Sequence, residues 1–286
     1  MDVFSKAKVL PLLFLVLVHC GPDPASVDEG QFIKAGTPDC EDLQIRGEYL
    51  VYWKDGHISL ETNQKEKSFV NGFLTQYKDK IQYAEPHYKI QLAPLNSLRP
   101  RNFGGDINWG VKAVEASSAW GKGNKTEEVI VAVIDSGLDT THPEFQGALA
   151  VNEKEEINGI DDDGNGLIDD RLGFDFVAGT GKVIDYTGHG THVSGVIVAQ
   201  HGQGQVLGVA PNAKLLPINF ISADGGGSVV DAIRSIRYAE SRGAKVINAS
   251  WGGNTCSLAL RDEIGLLADS DILFVTAAGN SGRDLS

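Results

Sequence analysis

The sequence predicts an α/β protein: a mostly parallel sheet with helices on both faces, incomplete at its C-terminus and preceded by a small α+β unit. Short, continuous apolar runs of this kind are typical of strands that are buried on both faces. They occur at 129–134, 214–219, 246–249 and 272–276. Segments with apolar residues at helical spacing separate or follow them, at 191–199, 229–242 and 257–268. Strands alternating with helices indicate a parallel sheet.

Residues 1–20 are typical of an export signal. Two lysines precede the apolar run 9–18, which is too short to cross a bilayer of ~30 Å as a helix. Leu17-Val-His-Cys20 is similar to a lipobox, which makes Cys20 a candidate for lipidation. His19 departs from the small residue usual before that cysteine, so cleavage nearby and free secretion is the alternative. In both cases the protein is expected to be exported, and in the first case the lipid anchor is its only expected membrane contact.

The rest of the chain divides into four predicted parts. They are a linker at 21–42, a small independent unit at 43–93, a second linker exposed to cleavage at 94–106, and the main domain at 107–286. In the small unit, an alternating strand and a helical segment precede an extended run that Pro86 is predicted to break. Cys40 and Cys256 are a possible disulfide in an exported chain, although they are predicted to lie in different domains. The net charge of −13 argues against nucleic acid as a partner.

Asp135 and His189 lie where predicted elements change. Asp135 follows directly on a buried strand, at the carboxyl end where ligands collect in open α/β sheets. His189, between two glycines, begins a predicted helix, so it is fixed in direction and accessible. A carboxylate there can accept the Nδ1 proton and leave the imidazole as a general base near neutral pH. The alternative for His189, considered alone, is a solvated loop histidine. The alternative for Asp135 is an aspartate that closes a turn after a strand.

Two long motifs carry a resemblance to a known family. Residues 133–144 (VIDSGLDTTHPE) and 188–195 (GHGTHVSG) resemble the Asp and His motifs of the subtilases, the subtilisin-like serine proteases, in that family's chain order. The resemblance implies a serine endopeptidase acting on polypeptide substrates, in which Asp135 orients His189. Residues 43–93 resemble a subtilase propeptide, which implies an intramolecular chaperone and inhibitor whose C-terminal tail lies in the active-site groove. An unrelated small α+β module is the alternative.

An acidic loop between the two motifs predicts a calcium site. Oxygen-bearing side chains recur at every second position, and a glycine then permits a sharp turn, as in the first half of an EF-hand. The predicted Ca²⁺ ligands are Asp161, Asp163, Asn165, the carbonyl of Leu167, and Asp169, with Asp170 as the alternative to Asp169. Leu172 stands where an EF-hand has its bidentate Glu, so the loop is dockerin-like and resembles a calcium loop of many bacterial subtilases. A solvated acidic loop is the alternative, although its carboxylates would repel one another.

Small residues mark the predicted substrate groove. Three glycines leave bare backbone at a sheet edge, which can pair with an extended peptide or form a flexible turn. In the subtilase frame this edge, Gly225, Gly226 and Gly227, binds substrate residues before the scissile bond. The resemblance assigns the first specificity pocket and the opposite wall to Ser250, Trp251, Gly252 and Gly253, with Trp251 narrowing the outer pocket. Asn280 matches the family's side-chain oxyanion donor.

The nucleophile motif of subtilases, Gly-Thr-Ser-Met-Ala, does not occur within the 286 residues. We therefore expect a truncated subtilase: by family a calcium-dependent, exported serine endopeptidase made as a zymogen, but inactive as this chain alone. The alternative is a non-catalytic remnant that binds calcium and peptides.

Overall fold

The computed structural model describes residues 43–63, 69–92, 108–122, 128–252 and 257–280. Several of the predictions lie outside the described residues. These are the export signal 1–20, the linker 21–42, the linker 94–106, the three cysteines Cys20, Cys40 and Cys256, and Gly253.

A five-stranded parallel sheet forms the centre of the main domain. Its strands are β4 (Ile130–Asp135), β5 (Phe174–Asp175), β6 (Lys214–Asn219), β8 (Val246–Ala249) and β9 (Leu273–Thr276), in the order β5-β6-β4-β8-β9. All neighbouring pairs are parallel, and β4 lies in the middle with Asp135 opposite Asn219. The predicted parallel α/β fold is therefore confirmed.

Helices cover both faces of this sheet. They are α3 (His189–Val198), α4 (Val229–Ser241) and α5 (Leu258–Leu266). Alternate residues of β4 enter two different cores, because successive side chains of a strand point to opposite faces. Val131 and Val133 pack with Val198 of α3, whereas Ala132 and Ile134 join the larger core that contains the buried face of α4. The continuous apolar run in β4 follows from this burial on both sides.

The N-terminal module (residues 43–92) forms a second, antiparallel sheet. Its strands are β1 (Gln44–Trp53), β2 (Ile58–Thr62) and β3 (Ile81–Gln91), and between β2 and β3 lie a π-helical turn, Phe69–Leu74, and the short helix α1 (Thr75–Tyr77). The sheet gains a fourth strand from the main domain, β7 (Gly226–Ser228), in the order β2-β1-β3-β7. A further short helix, α2 (Trp109–Ala113), and a 3-10 turn, Ala116–Ser118, follow the module.

Pro86 does not break β3, contrary to the sequence prediction. The strand continues through it, with Pro86 opposite Tyr49, and the irregularity appears in β1, where the register shifts between Gln44 and Tyr49. A proline removes one backbone donor, and a bulge in the partner strand accommodates that loss without ending the strand.

The module packs against the N-terminal ends of α4 and α5. The carboxylate of Glu85, in β3, is buried and accepts hydrogen bonds from the hydroxyl of Ser257 (2.5 Å) and the backbone N–H of Leu258 (2.7 Å). The Nε2 atom of His87 accepts a longer bond from the N–H of Val230, at 3.4 Å. These N–H groups belong to first helical turns, which lack intrahelical acceptors, so β3 supplies partners that the helices need.

Candidate active site

Asp135 and His189 meet at the carboxyl edge of the parallel sheet. Asp135 is the last residue of β4, and His189 is the first residue of α3. The Nδ1 atom of His189 lies 2.7 Å from Oδ1 of Asp135. The carboxylate is fully buried, whereas the imidazole side chain keeps 21% of its surface exposed. The histidine is thus oriented from inside the protein and reachable from outside.

Glycines make this approach of helix and strand possible. A Cβ at Gly190 would lie 2.3 Å from the carbonyl oxygen of Gly137 and 3.3 Å from Cβ of Asp135. The residue before the histidine, Gly188, has φ of 80°, in the left-handed region that favours glycine. Any larger residue at 190 would push α3 away from β4 and lengthen the bond between Asp135 and His189.

Hydrogen bonding to Asp135 is the main reason that the pKa of His189 lies above its usual range, while burial opposes the rise. The direction means that the imidazolium is stabilised, as a general base requires once it has accepted a proton. The second carboxylate oxygen of Asp135, Oδ2, is buried and has no hydrogen-bond partner among the described residues. Among the described residues, the carboxylate therefore makes its hydrogen bonds through Oδ1, with His189 and with the backbone N–H of Ser136.

The glycine edge predicted to bind substrate is paired within the chain. Gly226, Gly227 and Ser228 of β7 lie opposite Gln91, Ile90 and Lys89 of β3, in antiparallel register. The backbone N–H of Leu92 donates to the carbonyl oxygen of Gly225 (2.9 Å). The bare backbone of this edge does accept an extended strand, and the strand that it accepts comes from the N-terminal module.

The opposite wall follows β8. Ser250 lies directly after this strand, where its hydroxyl accepts a bond from the side chain of Asn248 (2.9 Å). Trp251 is buried and donates its indole N–H to the carbonyl of Ile134, so its ring packs in the core beneath the strand tip. That placement differs from the expected one, in which Trp251 narrows an open outer pocket. Gly252 is exposed, as is Asn280, which lies just after β9 at the same edge of the sheet.

The acidic loop has the internal bonding of an EF-hand half. Oδ2 of Asp161 accepts from the N–H of Gly166 (2.8 Å), and Oδ1 accepts from the N–H of Gly164 (2.8 Å). Asp163 accepts from the N–H of Asn165, and the side chain of Asn165 accepts from the N–H of Leu167. Backbone N–H groups of the loop thus hold these side-chain oxygens in place, and a set of ligands made only of oxygen atoms suits Ca²⁺.

Sequence reasoning missed one acidic residue of this site, Glu155, whereas it had named Asp170 as the alternative to Asp169. Carboxylate oxygens of Glu155, Asp163 and Asp170 lie within 4.8 Å of one another, and Glu155 and Asp170 are fully buried. Asp169 instead directs Oδ1 to the N–H groups of Asn158 and Gly159. The regular two-residue spacing picked out the loop but gave no sign of Glu155, which precedes the repeat.

The remaining predicted features concern membranes and lipid. Among the described residues there is no helix that is long and apolar enough to cross a membrane. Cys20 lies outside the described residues.

A parallel sheet with an Asp–His pair at its carboxyl edge is an α/β fold that holds two of the three groups of a Ser-His-Asp site. A sequence profile described as "Subtilase family" matches residues 126–286, more than half of the chain. The chain therefore belongs to the subtilase family, a family of serine proteases.

Relatives of known name agree with this assignment. The "Major intracellular serine protease" of Bacillus subtilis (strain 168) is 34% identical over 174 residues, which cover 60% of this chain and 49% of that protein. "Fervidolysin" of Fervidobacterium pennivorans is 31% identical over 231 residues, covering 71% of this chain and 30% of that protein. This chain thus spans about half or less of the length of these relatives.

The fold also has a solved counterpart. The crystal structure of fervidolysin, described as a keratinolytic enzyme related to subtilisin, matches with a TM-score of 0.65 and 22% identity. The match covers 91% of this chain and 44% of that one. At this identity the likeness shows the fold alone.

Proposed function

We propose that this protein is a serine-type endopeptidase that cleaves polypeptide substrates, with Asp135 and His189 as its proton-transfer pair. The observation that carries the proposal is the 2.7 Å contact between the buried carboxylate and the partly exposed imidazole. In this role Asp135 fixes the tautomer, so that Nε2 of His189 takes the proton of a serine hydroxyl as it attacks the peptide carbonyl. Asn280, at the same sheet edge, would donate to the developing oxyanion.

The proposal includes a zymogen stage in which the N-terminal module is the inhibitor. Its support is the pairing of Lys89–Gln91 with Gly226–Ser228, because a substrate strand would need the same backbone groups. The packing of Glu85 against α5 adds a second anchor outside the groove. Cleavage between the module and the main domain would free the glycine edge, and the sequence favours 94–106 for this cleavage.

Calcium binding by the acidic loop is also part of the proposal. Asp161, Asp163, Asn165 and the carbonyl of Leu167 would hold the ion, since they have the EF-hand spacing and Gly166 stands at the sharp turn, where its N–H donates to Asp161. Glu155 is added to the predicted set, and Asp170 is preferred to Asp169, because the carboxylates of Glu155 and Asp170 converge on Asp163. The role proposed for the ion is structural: it offsets repulsion among carboxylates.

We further propose export, on the pattern of residues 1–20, with Cys20 as a candidate lipid attachment site.

Two candidate functions differ in whether the protein has a serine nucleophile. The second candidate is a non-catalytic protein that binds calcium and peptides, and the presence or absence of an activated serine decides between the two.

A fluorophosphonate probe, which labels activated serines, separates the two functions. We expect no labelled serine in the 286-residue chain. We expect labelling once the chain is extended by downstream coding sequence that supplies Gly-Thr-Ser, and loss of labelling in the same extended chain carrying His189→Ala. Absence of such a motif from the downstream coding sequence, in frame or shifted, would leave the non-catalytic function.

A further inference from the structure

Asp185 is the most heavily hydrogen-bonded side chain near the Asp135–His189 pair, and the proton-transfer mechanism above gives it no role. Its Oδ1 atom accepts from the backbone N–H groups of Thr187 (3.0 Å) and Gly188 (2.9 Å). Its Oδ2 atom accepts from the backbone N–H of Thr191 (2.8 Å) and from the Thr191 hydroxyl (2.7 Å). One carboxylate thus organises the chain on both sides of His189.

The same carboxylate is tied to the end of β4 through Ser136. The hydroxyl of Ser136, the residue after Asp135, donates to Oδ1 of Asp185 (2.9 Å). That hydroxyl oxygen in turn accepts from the N–H of Gly190 (3.0 Å). Because Ser136 is buried, water competes little for the hydrogen bonds of its hydroxyl. The contact joins the loop that carries the base to the strand that carries its partner.

The loop donates further bonds that leave His189 little freedom. The hydroxyl of Thr187 lies 2.7 Å from that of Ser136 and accepts from the backbone N–H of His189 (3.1 Å). Asp185 therefore satisfies four backbone N–H groups of this segment. It accepts directly from those of Thr187, Gly188 and Thr191, and it reaches that of Gly190 through the hydroxyl of Ser136. Such donors at the start of a helix have no intrahelical acceptors, so α3 depends on this arrangement for its first turn.

The charge of Asp185 also acts on the imidazole. Burial opposes its ionisation, yet the bonds from Thr191, Ser136 and Gly188 hold its pKa below the usual range. The ionised carboxylate then adds to the electrostatic stabilisation of the His189 imidazolium, after the larger contribution of Asp135.

We propose that Asp185 is a positioning residue for His189, which locks the 185–191 loop onto the end of β4 so that Nδ1 faces Asp135. The inference rests on the proposed function, because it concerns the same base. Asp185 acts through the loop and touches neither a substrate nor a reacting atom.

NMR of the 286-residue chain tests this role without any need for proteolysis. Two signals are followed: the downfield Hδ1 proton of the His189–Asp135 bond, and the pKa of His189 from its ring resonances. In Asp185→Asn the Nδ2 group meets the N–H of Thr191, donor against donor, and the negative charge is lost. We expect a lower pKa of His189, a weakened Hδ1 signal and faster amide exchange at Gly188 and Gly190.

Two further variants make the outcome specific. Asp139→Asn removes an exposed carboxylate near the loop that bonds only to Thr141 within the described contacts, and it should leave the His189 pKa unchanged. Asp135→Asn should lower the His189 pKa. If Asp135→Asn leaves the His189 pKa unchanged, the proposed function fails. If Asp135→Asn lowers this pKa but Asp185→Asn changes neither the pKa nor the Hδ1 signal, only the positioning role of Asp185 is wrong.

Failure of Asp185→Asn to fold would not remove the test. Ser136→Ala deletes the link to β4 but keeps the carboxylate charge. It should speed amide exchange at Gly190 and weaken the Hδ1 signal, with a smaller change in the pKa of His189 than a charge-removing variant gives. Unchanged exchange and an unchanged Hδ1 signal in Ser136→Ala would contradict the proposal.

Discussion

At the scale of single residues, the Asp135–His189 pair carries an electrostatic cost that its function explains. Oδ2 of Asp135 is buried without a hydrogen-bond partner among the described residues. A buried polar atom left unpaired typically costs about 1–3 kcal/mol. The imidazolium form of His189 compensates for part of this cost, because it places a positive charge against the carboxylate. The pair is therefore more stable when His189 is protonated.

The pH dependence of folding should show this coupling. The folded-state pKa of His189 is raised, so its contribution to stability is fully present below the unfolded value of about 6.5 and is lost as pH rises through the folded pKa. We expect His189→Gln to destabilise the chain most at pH 5–6 and least at pH 9. Urea unfolding of both proteins across this range measures the difference. A difference that is constant with pH would contradict the raised pKa.

At the scale of elements, the acidic loop is held to α4 by a buried ion pair. Asp170 is fully buried, and its Oδ2 atom accepts from the hydroxyl of Tyr238 (2.6 Å) and from Nη1 of Arg242 (3.2 Å). Arg242 also donates to the carbonyl oxygen of Ala150 (3.1 Å). The C-terminal end of α4 therefore fixes the loop, while the N-terminal end of the same helix follows the glycine edge.

Removing the arginine should strongly destabilise the chain. Arg242→Met leaves Asp170 buried without its charged partner, which typically costs about 3–5 kcal/mol. Arg234→Met is the matched control, because Arg234 lies on the same helix in a largely exposed pair with Asp231, and such pairs contribute about 0.2–1 kcal/mol. Denaturant titration gives both values. Equal losses in the two variants would show that the Asp170 pair does not hold the loop.

Calcium should stabilise the loop, and therefore the fold. With free Ca²⁺ about 100-fold above its dissociation constant, the expected gain is about 2.7 kcal/mol, or a rise of about 5–10 °C in Tm for a domain of this size. Asp161→Ala should abolish the gain, since Asp161 both offers ligand oxygens and accepts the N–H of Gly166. Asp269→Ala, an exposed aspartate outside the loop, should keep it. Identical calorimetric traces in EDTA and in calcium would argue for a solvated loop.

At the scale of the whole molecule, the sequence predicted the features that depend on residues close together in the chain. The apolar runs predicted the parallel strands. The turn after β4 and the glycines around His189 predicted that Asp135 and His189 lie together at the sheet edge. The sequence could not predict the hydrogen-bond partners of Glu85 and Asp170. These partners lie at the ends of α5 and α4, respectively, which are far from Glu85 and Asp170 along the chain. It also predicted a break at Pro86, where a bulge in β1 preserves the strand.

The contact between the N-terminal module and α5 should depend on pH through Glu85. Burial raises the pKa of this carboxyl from its ordinary 4.5 to about 7, although Ser257 and Leu258 donate to it. Its contribution to stability is then present below about pH 4.5 and lost as pH rises through about 7. Relative to Glu85→Gln, the natural chain should lose a few kcal/mol, on the order of 3, between pH 4.5 and 8.

Unfolding midpoints at several pH values measure this loss. Glu115→Gln, at an exposed residue, is the control and should follow the natural chain at every pH. A Glu85→Gln chain with the same pH profile as the natural one would show that the buried carboxyl does not titrate in this window.

The pairing of β3 with β7 has a consequence for biosynthesis. Ribosomes add roughly 5–20 residues per second, and β7 is encoded on the order of 140 residues after β3, so β3 emerges about ten seconds before the strand that completes its sheet. Until then its outer row of N–H and C=O groups is open to other chains. Slower synthesis would lengthen the time for which this strand edge is open to pairing with other chains.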